Sequence, residues 1–177
     1  MKSSGLTIIF LLLILVLEGC SNRIHSVSGG LPPSSSTPAA ISSSAQVVKV
    51  IPGAVEINMN GAADAAIALS ISPGYHINAN PATFPYLIAT EVTAGKVEGV
   101  TVGAPAYPAA IKKKFQFAEQ PLAVYEGEAP IKLNLRAEKN AGAGSRSLPI
   151  AVRVQACDEE QCFPPATINS TISVMVK

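Results

Sequence analysis

Residues 148–177 read LPIAVRVQACDEEQCFPPATINSTISVMVK. Leu148, Ile150, Val152 and Val154 share one parity while Arg153 and Gln155 take the other, and Ile172, Val174 and Val176 alternate with Ser173, Met175 and Lys177. A period of two sends alternate side chains to opposite faces, so each half is a strand with one buried and one wet face. Between the halves lies Cys157-Asp158-Glu159-Glu160-Gln161-Cys162, and Phe163-Pro164-Pro165 leads out of it. If the two strands are neighbours, this loop returns on itself and brings the cysteine Cα atoms within the roughly 4.4–6.8 Å that a disulfide requires. A Cys157–Cys162 disulfide is expected in the oxidised protein.

The same period recurs upstream. Val55, Ile57 and Met59 alternate with Glu56, Asn58 and Asn60, and Ile131, Leu133 and Leu135 alternate with Lys132, Asn134 and Arg136. Ala65, Ile67, Leu69 and Ile71 form another such set, although the alanines among them also suit a helix. Apolar stretches at 86–92, 97–102 and 122–125 bring the expectation to eight or nine strands punctuated by Pro and Gly. No convincing amphipathic helix and no internal repeat emerges. The expected fold is all-β, an immunoglobulin-like antiparallel β-sandwich, without the Cys-Trp-Cys core signature because the chain has no tryptophan.

The first residues read as targeting rather than fold. Lys2 precedes an apolar run from Leu6 to Leu17, shorter than the roughly 20 residues that span a bilayer and suited to a secretory signal over 1–19. The run ends in Leu17-Glu18-Gly19-Cys20, which resembles the lipobox of bacterial lipoproteins, with Glu18 where a small or aliphatic residue is usual. Cys20 is then the lipid-bearing N-terminus, and the mature protein is periplasmic and held to a membrane. Residues 20–45, rich in Ser and Pro, read as a tether with a reach on the order of 28 Å. Residues 46–177 remain for one domain. Export implies an oxidising compartment, and with Cys20 lipidated the other two cysteines form an even pair.

Composition excludes much chemistry. Side chains are 48% apolar, 5% aromatic and 14% charged, and the net charge is +1. That balance gathers no phosphates, so nucleic-acid binding is not expected. Two histidines leave little material for a His-based triad or a His-rich metal site, and no cofactor is expected.

For the cysteine pair three readings stand. As a structural staple, closing so short a loop stabilises by only about 2 kcal/mol. As a redox pair, it sits at the joint of two strands in an oxidising compartment. As a metal site, it lacks partners at ligand spacing, since His76 and the methionines show none. The three carboxylates between the sulfurs disfavour thiolate, which suits a pair that reacts when a partner supplies geometry and charge. His76, after Pro73-Gly74-Tyr75, reads as a hydrogen-bonded turn histidine. Tyr75, Tyr86 and Tyr125 read as core or rim aromatics, and Lys112-Lys113-Lys114 as a solvated face.

Four segments in order carry a resemblance: Gly74-Tyr75-His76-Ile77-Asn78-Ala79-Asn80-Pro81, Tyr86-Leu87-Ile88-Ala89-Thr90-Glu91, Val124-Tyr125-Glu126-Gly127, and Val154-Gln155-Ala156-Cys157 with Cys162-Phe163-Pro164-Pro165. Together they resemble the N-terminal periplasmic domain of the thiol:disulfide interchange protein DsbD over roughly residues 46–177. The resemblance implies an immunoglobulin-like fold in which Cys157 and Cys162 are the redox pair. It also implies that they receive reducing equivalents from a membrane electron-transfer protein and pass them to thioredoxin-like partners. In that family a loop bearing an aromatic residue caps the disulfide. The corresponding region here is Pro108 to Pro121, with Phe115 and Phe117 as candidate caps and Lys112-Lys113-Lys114 where the best-known members are acidic. Core packing is the other reading of both rings. Two further functions stay open: a non-redox envelope lipoprotein that binds a protein through this scaffold, and a chaperone-like role with the disulfide as a staple.

Overall fold

The computed structural model describes residues 41–177. The predicted signal, Cys20 and most of the tether lie outside the described residues. The described chain has one short 3-10 turn, Ser44–Gln46, and twelve strands. They are β1 (Val48–Pro52), β2 (Val55–Ile57), β3 (Ala62–Ile71), β4 (His76–Asn78), β5 (Glu91–Ala94) and β6 (Val100–Ala106), then β7 (Ile111–Lys113), β8 (Leu122–Tyr125), β9 (Glu128–Ala137), β10 (Gly144–Val154), β11 (Ala156–Cys157) and β12 (Ala166–Val176).

Two four-stranded sheets make the sandwich, in the orders β1-β3-β9-β6 and β2-β12-β10-β5. All pairings in them are antiparallel except β2 with β12. The predicted neighbours β10 and β12 pair from Gly144↔Val176 to Val154↔Ala166. Inward-facing Ile67, Leu69, Ile131, Leu133, Leu135, Leu148, Val152, Ile172 and Val174 are all buried in one apolar core. The alanine-rich segment is strand β3, because every second residue from Ala65 to Ile71 meets that core. This is the expected immunoglobulin-like β-sandwich.

A third sheet, β11-β4-β8-β7, was not foreseen. The predicted strand 148–156 breaks at Gln155, where β10 leaves the sandwich and Ala156–Cys157 pairs with β4 instead. Three further expectations are corrected. Residues 86–90 form turns and irregular chain rather than a strand, and only Glu91–Ala94 pairs. Pro81 and Pro85 interrupt the approach to this segment, which is clasped by side chains: Asn78 Nδ2 donates to Ile88 O (3.1 Å), Asn80 Nδ2 to Thr90 O (2.9 Å) and Thr90 Oγ1 to Asn78 O (2.6 Å). Met59 does not continue its strand, since β2 ends at Ile57 and the chain turns through Asn60 at φ 58°, leaving Met59 exposed. Ser44 and Ala45, assigned to the tether, belong to the fold: Ser44 is fully buried and its Oγ donates to Pro164 O (2.8 Å).

Candidate functional site

The third sheet has two faces. Ile77, Ala123, Tyr125 and Ala156 point into the sandwich core. On the other side Leu122 and Val124 join Phe115 in a second, small apolar cluster, with Phe84, Leu87 and Ala118 packed at its edge. Register places His76 directly opposite Cys157 and Asn78 opposite Val124, so these four share the second face. The site is built there.

The cysteines close a hairpin. Phe163 N–H donates to Ala156 O (2.8 Å) and Asp158 N–H to Gln161 O (2.9 Å), which makes Cys157 and Cys162 a non-hydrogen-bonded pair. That is the closer of the two antiparallel pairings, and here the Cα atoms are 3.9 Å apart, below the expected range, with the disulfide formed. Asp158 shapes the turn, its Oδ1 accepting from the N–H groups of Glu160 and Gln161, both at 2.8 Å. Ser44 holds the base: its Oγ accepts from Ala156 N–H at 2.8 Å, one residue before the buried sulfur. The two cysteines are unequal, for Cys157 is 1% exposed while Cys162 is exposed at the surface.

The segment after β7 covers this face. Phe115 is 1% exposed and stacks on the His76 ring, centroids 4.1 Å apart. Phe117 stacks in turn on Phe115 at 5.3 Å but is 44% exposed. Phe117, Phe84, Tyr86, Leu87, Leu122 and Cys162 line a cleft of about 530 Å³, with Phe84 and Tyr86 stacked at 5.2 Å. Of the two cap candidates, only Phe117 reaches the cleft that holds a sulfur; Phe115 is interior. Tyr125 is a core residue whose hydroxyl accepts from Asn80 N–H (3.1 Å), Tyr75 packs near Phe163 at 5.9 Å, and Tyr86 is the exposed rim.

Two sequence readings are corrected here. Lys113 and Lys114 are not simply a solvated face. Lys113 Nζ bridges Glu126 Oε1 (2.7 Å) and Glu159 Oε1 (2.9 Å), tying the cover to β8 and to the loop between the cysteines, and it lies 5.3 Å from the Phe115 centroid. Both carboxylates raise its pKa. Lys114 Nζ donates to Ala118 O and Glu119 O, closing the turn that carries Phe117. His76 is not a hydrogen-bonded turn residue: it lies in β4, is buried, and its Nε2 has no hydrogen-bond partner among the described residues. Burial lowers its pKa against the opposing pull of Glu126, Glu159 and Asp158, with Lys113 adding to the lowering. Sequence reasoning also missed Ser44 and Asn78. The alternation of His76, Ile77 and Asn78 was the available signal, but three residues are too few to mark a strand.

The site is thus a hairpin disulfide with one sulfur buried in the sandwich and the other presented at an aromatic cleft. The chain belongs to the family described as "Thiol:disulfide interchange protein DsbD, N-terminal", which matches residues 45–173. Among similar solved structures, the N-terminal domain of DsbD from Neisseria meningitidis in the reduced form is 19% identical at a TM-score of 0.42, over 62% of this chain and 75% of that one. The N-terminal periplasmic domain of ScsB from Proteus mirabilis is 12% identical at a TM-score of 0.42, over 71% of this chain and 44% of that one. This chain therefore spans less than half of the ScsB chain. No curated protein is significantly similar in sequence.

Proposed function

We propose that the chain is a periplasmic relay for reducing equivalents, with Cys157 and Cys162 cycling between disulfide and dithiol. A membrane electron-transfer protein supplies the electrons and thioredoxin-like proteins receive them. The observation that carries this reading is the inequality of the sulfurs. Exchange needs in-line approach of a thiolate to one sulfur and departure of the other. Cys162, exposed at the aromatic cleft, is open to attack, and Cys157, buried beneath the hairpin, is the leaving and then the resolving sulfur. The apolar cleft of Phe84, Tyr86 and Phe117 suits the uncharged rim around a partner's own cysteine, and Phe117, on the same cleft as Cys162, restricts approach by small thiols more than by a docked partner. Membrane attachment through a lipidated Cys20 would keep the domain near its donor.

Single-cysteine variants test the exchange. Cys157→Ala leaves Cys162 free to form a mixed disulfide that cannot resolve, so an adduct with an oxidised thioredoxin-like protein should appear on a non-reducing gel. Cys162→Ala should give little adduct. If neither variant forms one and the wild-type bridge resists reduction down to about −300 mV, the pair is a staple and the non-redox binding module replaces this reading. Intact-mass analysis of the membrane fraction tests the anchor, which an unmodified N-terminus would exclude.

A further inference from the structure

The two buried side-chain polar atoms without a hydrogen-bond partner among the described residues are His76 Nε2 and Asn78 Oδ1, and both belong to β4 beside the disulfide. Buried polar groups are normally paired, because leaving one without a partner forfeits the bonds it made to water. The sandwich core leaves no such atom, so the deficit is confined to the face that carries the sulfurs. His76 is the cross-strand neighbour of Cys157, and such neighbours have Cβ atoms about 5 Å apart. Its ring is held by the Phe115 stack.

We propose that His76 serves the leaving sulfur: when the disulfide opens, His76 Nε2–H donates a hydrogen bond to the Cys157 thiolate. This rests on the exchange reading. In the step that reduces this domain, a thiolate of the electron-donating partner's reduced dithiol attacks Cys162 Sγ and forms a new S–S bond. The Cys157–Cys162 bond breaks and its electron pair goes to Cys157 Sγ. Attack by the partner's second thiolate on its own sulfur then frees Cys162, so the partner ends as a disulfide and this protein as a dithiol. The two protons that the partner's thiols lose are regained through water by Cys157 and Cys162, and His76 keeps its own.

The charges that face His76 favour such a donor over a second ion. Glu126 acts on His76 from just after β8, and Asp158 and Glu159 from the hairpin; carboxylates disfavour a thiolate beside them. The cation on this face, Lys113, is already shared by Glu126 and Glu159. Phe115 offers only an apolar ring. A neutral N–H on the residue paired with Cys157 favours the thiolate without adding a second buried charge, and burial favours the neutral imidazole.

The test compares wild type with His76→Phe, which keeps the stacked ring without the donor, and His76→Gln, which keeps a donor without the ring. In a Cys162→Ala background, Cys157 is titrated by thiolate ultraviolet absorbance. His76→Phe should raise its pKa by about one unit and slow disulfide exchange about tenfold, the factor that 1.4 kcal/mol represents and the low end for a hydrogen bond to a charged group. His76→Gln should recover most of both. An unchanged Cys157 titration in His76→Phe overturns the proposal, whatever the exchange rate. If the phenylalanine variant does not fold, nitrogen NMR of the wild-type imidazole decides: Nε2 should gain a hydrogen bond on reduction, and an unchanged signal overturns the inference. Failure of the wild-type protein to exchange would instead remove the relay reading and leave the titration result standing.

Discussion

Strand β9 alternates exposed and buried over all ten residues, whereas β4 and β8 are buried at every position. The first belongs to the sandwich, where one face meets the core and the other meets water. The second pair lies between the sandwich core and the cover formed by Phe115 and its neighbours. A strand with one wet face announces itself by its period, and a strand covered on both faces has none. The buried cysteine of the disulfide sits in the covered sheet. Its polar residues are therefore inside the molecule, where burial and pairing tune them, rather than on a surface where water would.

The sharpest way to break this contrast is to open a void in each region. Leu133→Ala in β9 and Phe115→Ala in the cover both empty buried space, and each should cost roughly 3–5 kcal/mol in denaturant unfolding. Only Phe115→Ala should also change the disulfide, because its ring holds His76 and the segment that carries Phe117. Reduction by a small thiol, measured under conditions where both variants stay folded, should be faster in Phe115→Ala and unchanged in Leu133→Ala. Equal rates would mean that the cover does not protect the sulfurs.

That contrast also explains what could be read before the fold was known. The pairing of β10 with β12, the β9 strand and the cysteine hairpin all lie in or beside long strands whose alternation is unambiguous. The third sheet is built from segments of two to four residues, too short for any period, and its register is set by tertiary contacts such as Ser44 Oγ with Ala156 N–H and Tyr125 Oη with Asn80 N–H. Residues 86–90 misled because apolar content suggested a strand, while Pro85 just before them and the Asn78 and Asn80 amides made a clasped loop. Lys113 was legible as a charge and illegible as a bridge, since Glu126 and Glu159 lie 13 and 46 residues away. His76 could not be placed at all without knowing that β11 pairs with β4.

A smaller effect is expected from the disulfide itself. Replacing both cysteines by Ala should lower stability by about 2 kcal/mol, the chain-entropy value for so short a loop, and leave the sandwich strands as protected from hydrogen exchange as before. The protection of β11 and β4 should fall instead. A global collapse of protection would show that the covered sheet, not the sandwich, holds the fold.

Acid should distinguish the regions next. The folded protein depresses the pKa of His76 below its ordinary 6.5, so between those two values the unfolded chain binds a proton that the folded one does not. The corresponding stability is complete above pH 6.5 and is lost as pH falls toward the folded pKa. Wild type should therefore lose more stability than His76→Phe on going from pH 7 into the acid range, by chemical denaturation at matched ionic strength. Parallel losses in the two proteins would mean that burial does not hold His76 neutral.

The least costly change to the fold should be among the more informative for function. Phe117 is 44% exposed, its ring rests on Phe115, and it lines the cleft that holds Cys162. Phe117→Ala removes partly hydrated surface, so it should cost well under the roughly 3 kcal/mol of a buried phenylalanine. The turn beneath it is kept by Lys114, whose bonds to Ala118 O and Glu119 O do not involve the ring. If Phe117 shields the exposed sulfur, the variant should melt close to wild type and yet be reduced several-fold faster by a small thiol. Exchange with a thioredoxin-like protein should change less, because such a partner displaces the ring in any case. A variant that melts normally and is reduced at the wild-type rate would confine the covered region's role to Phe115 and leave Cys162 open without a cap.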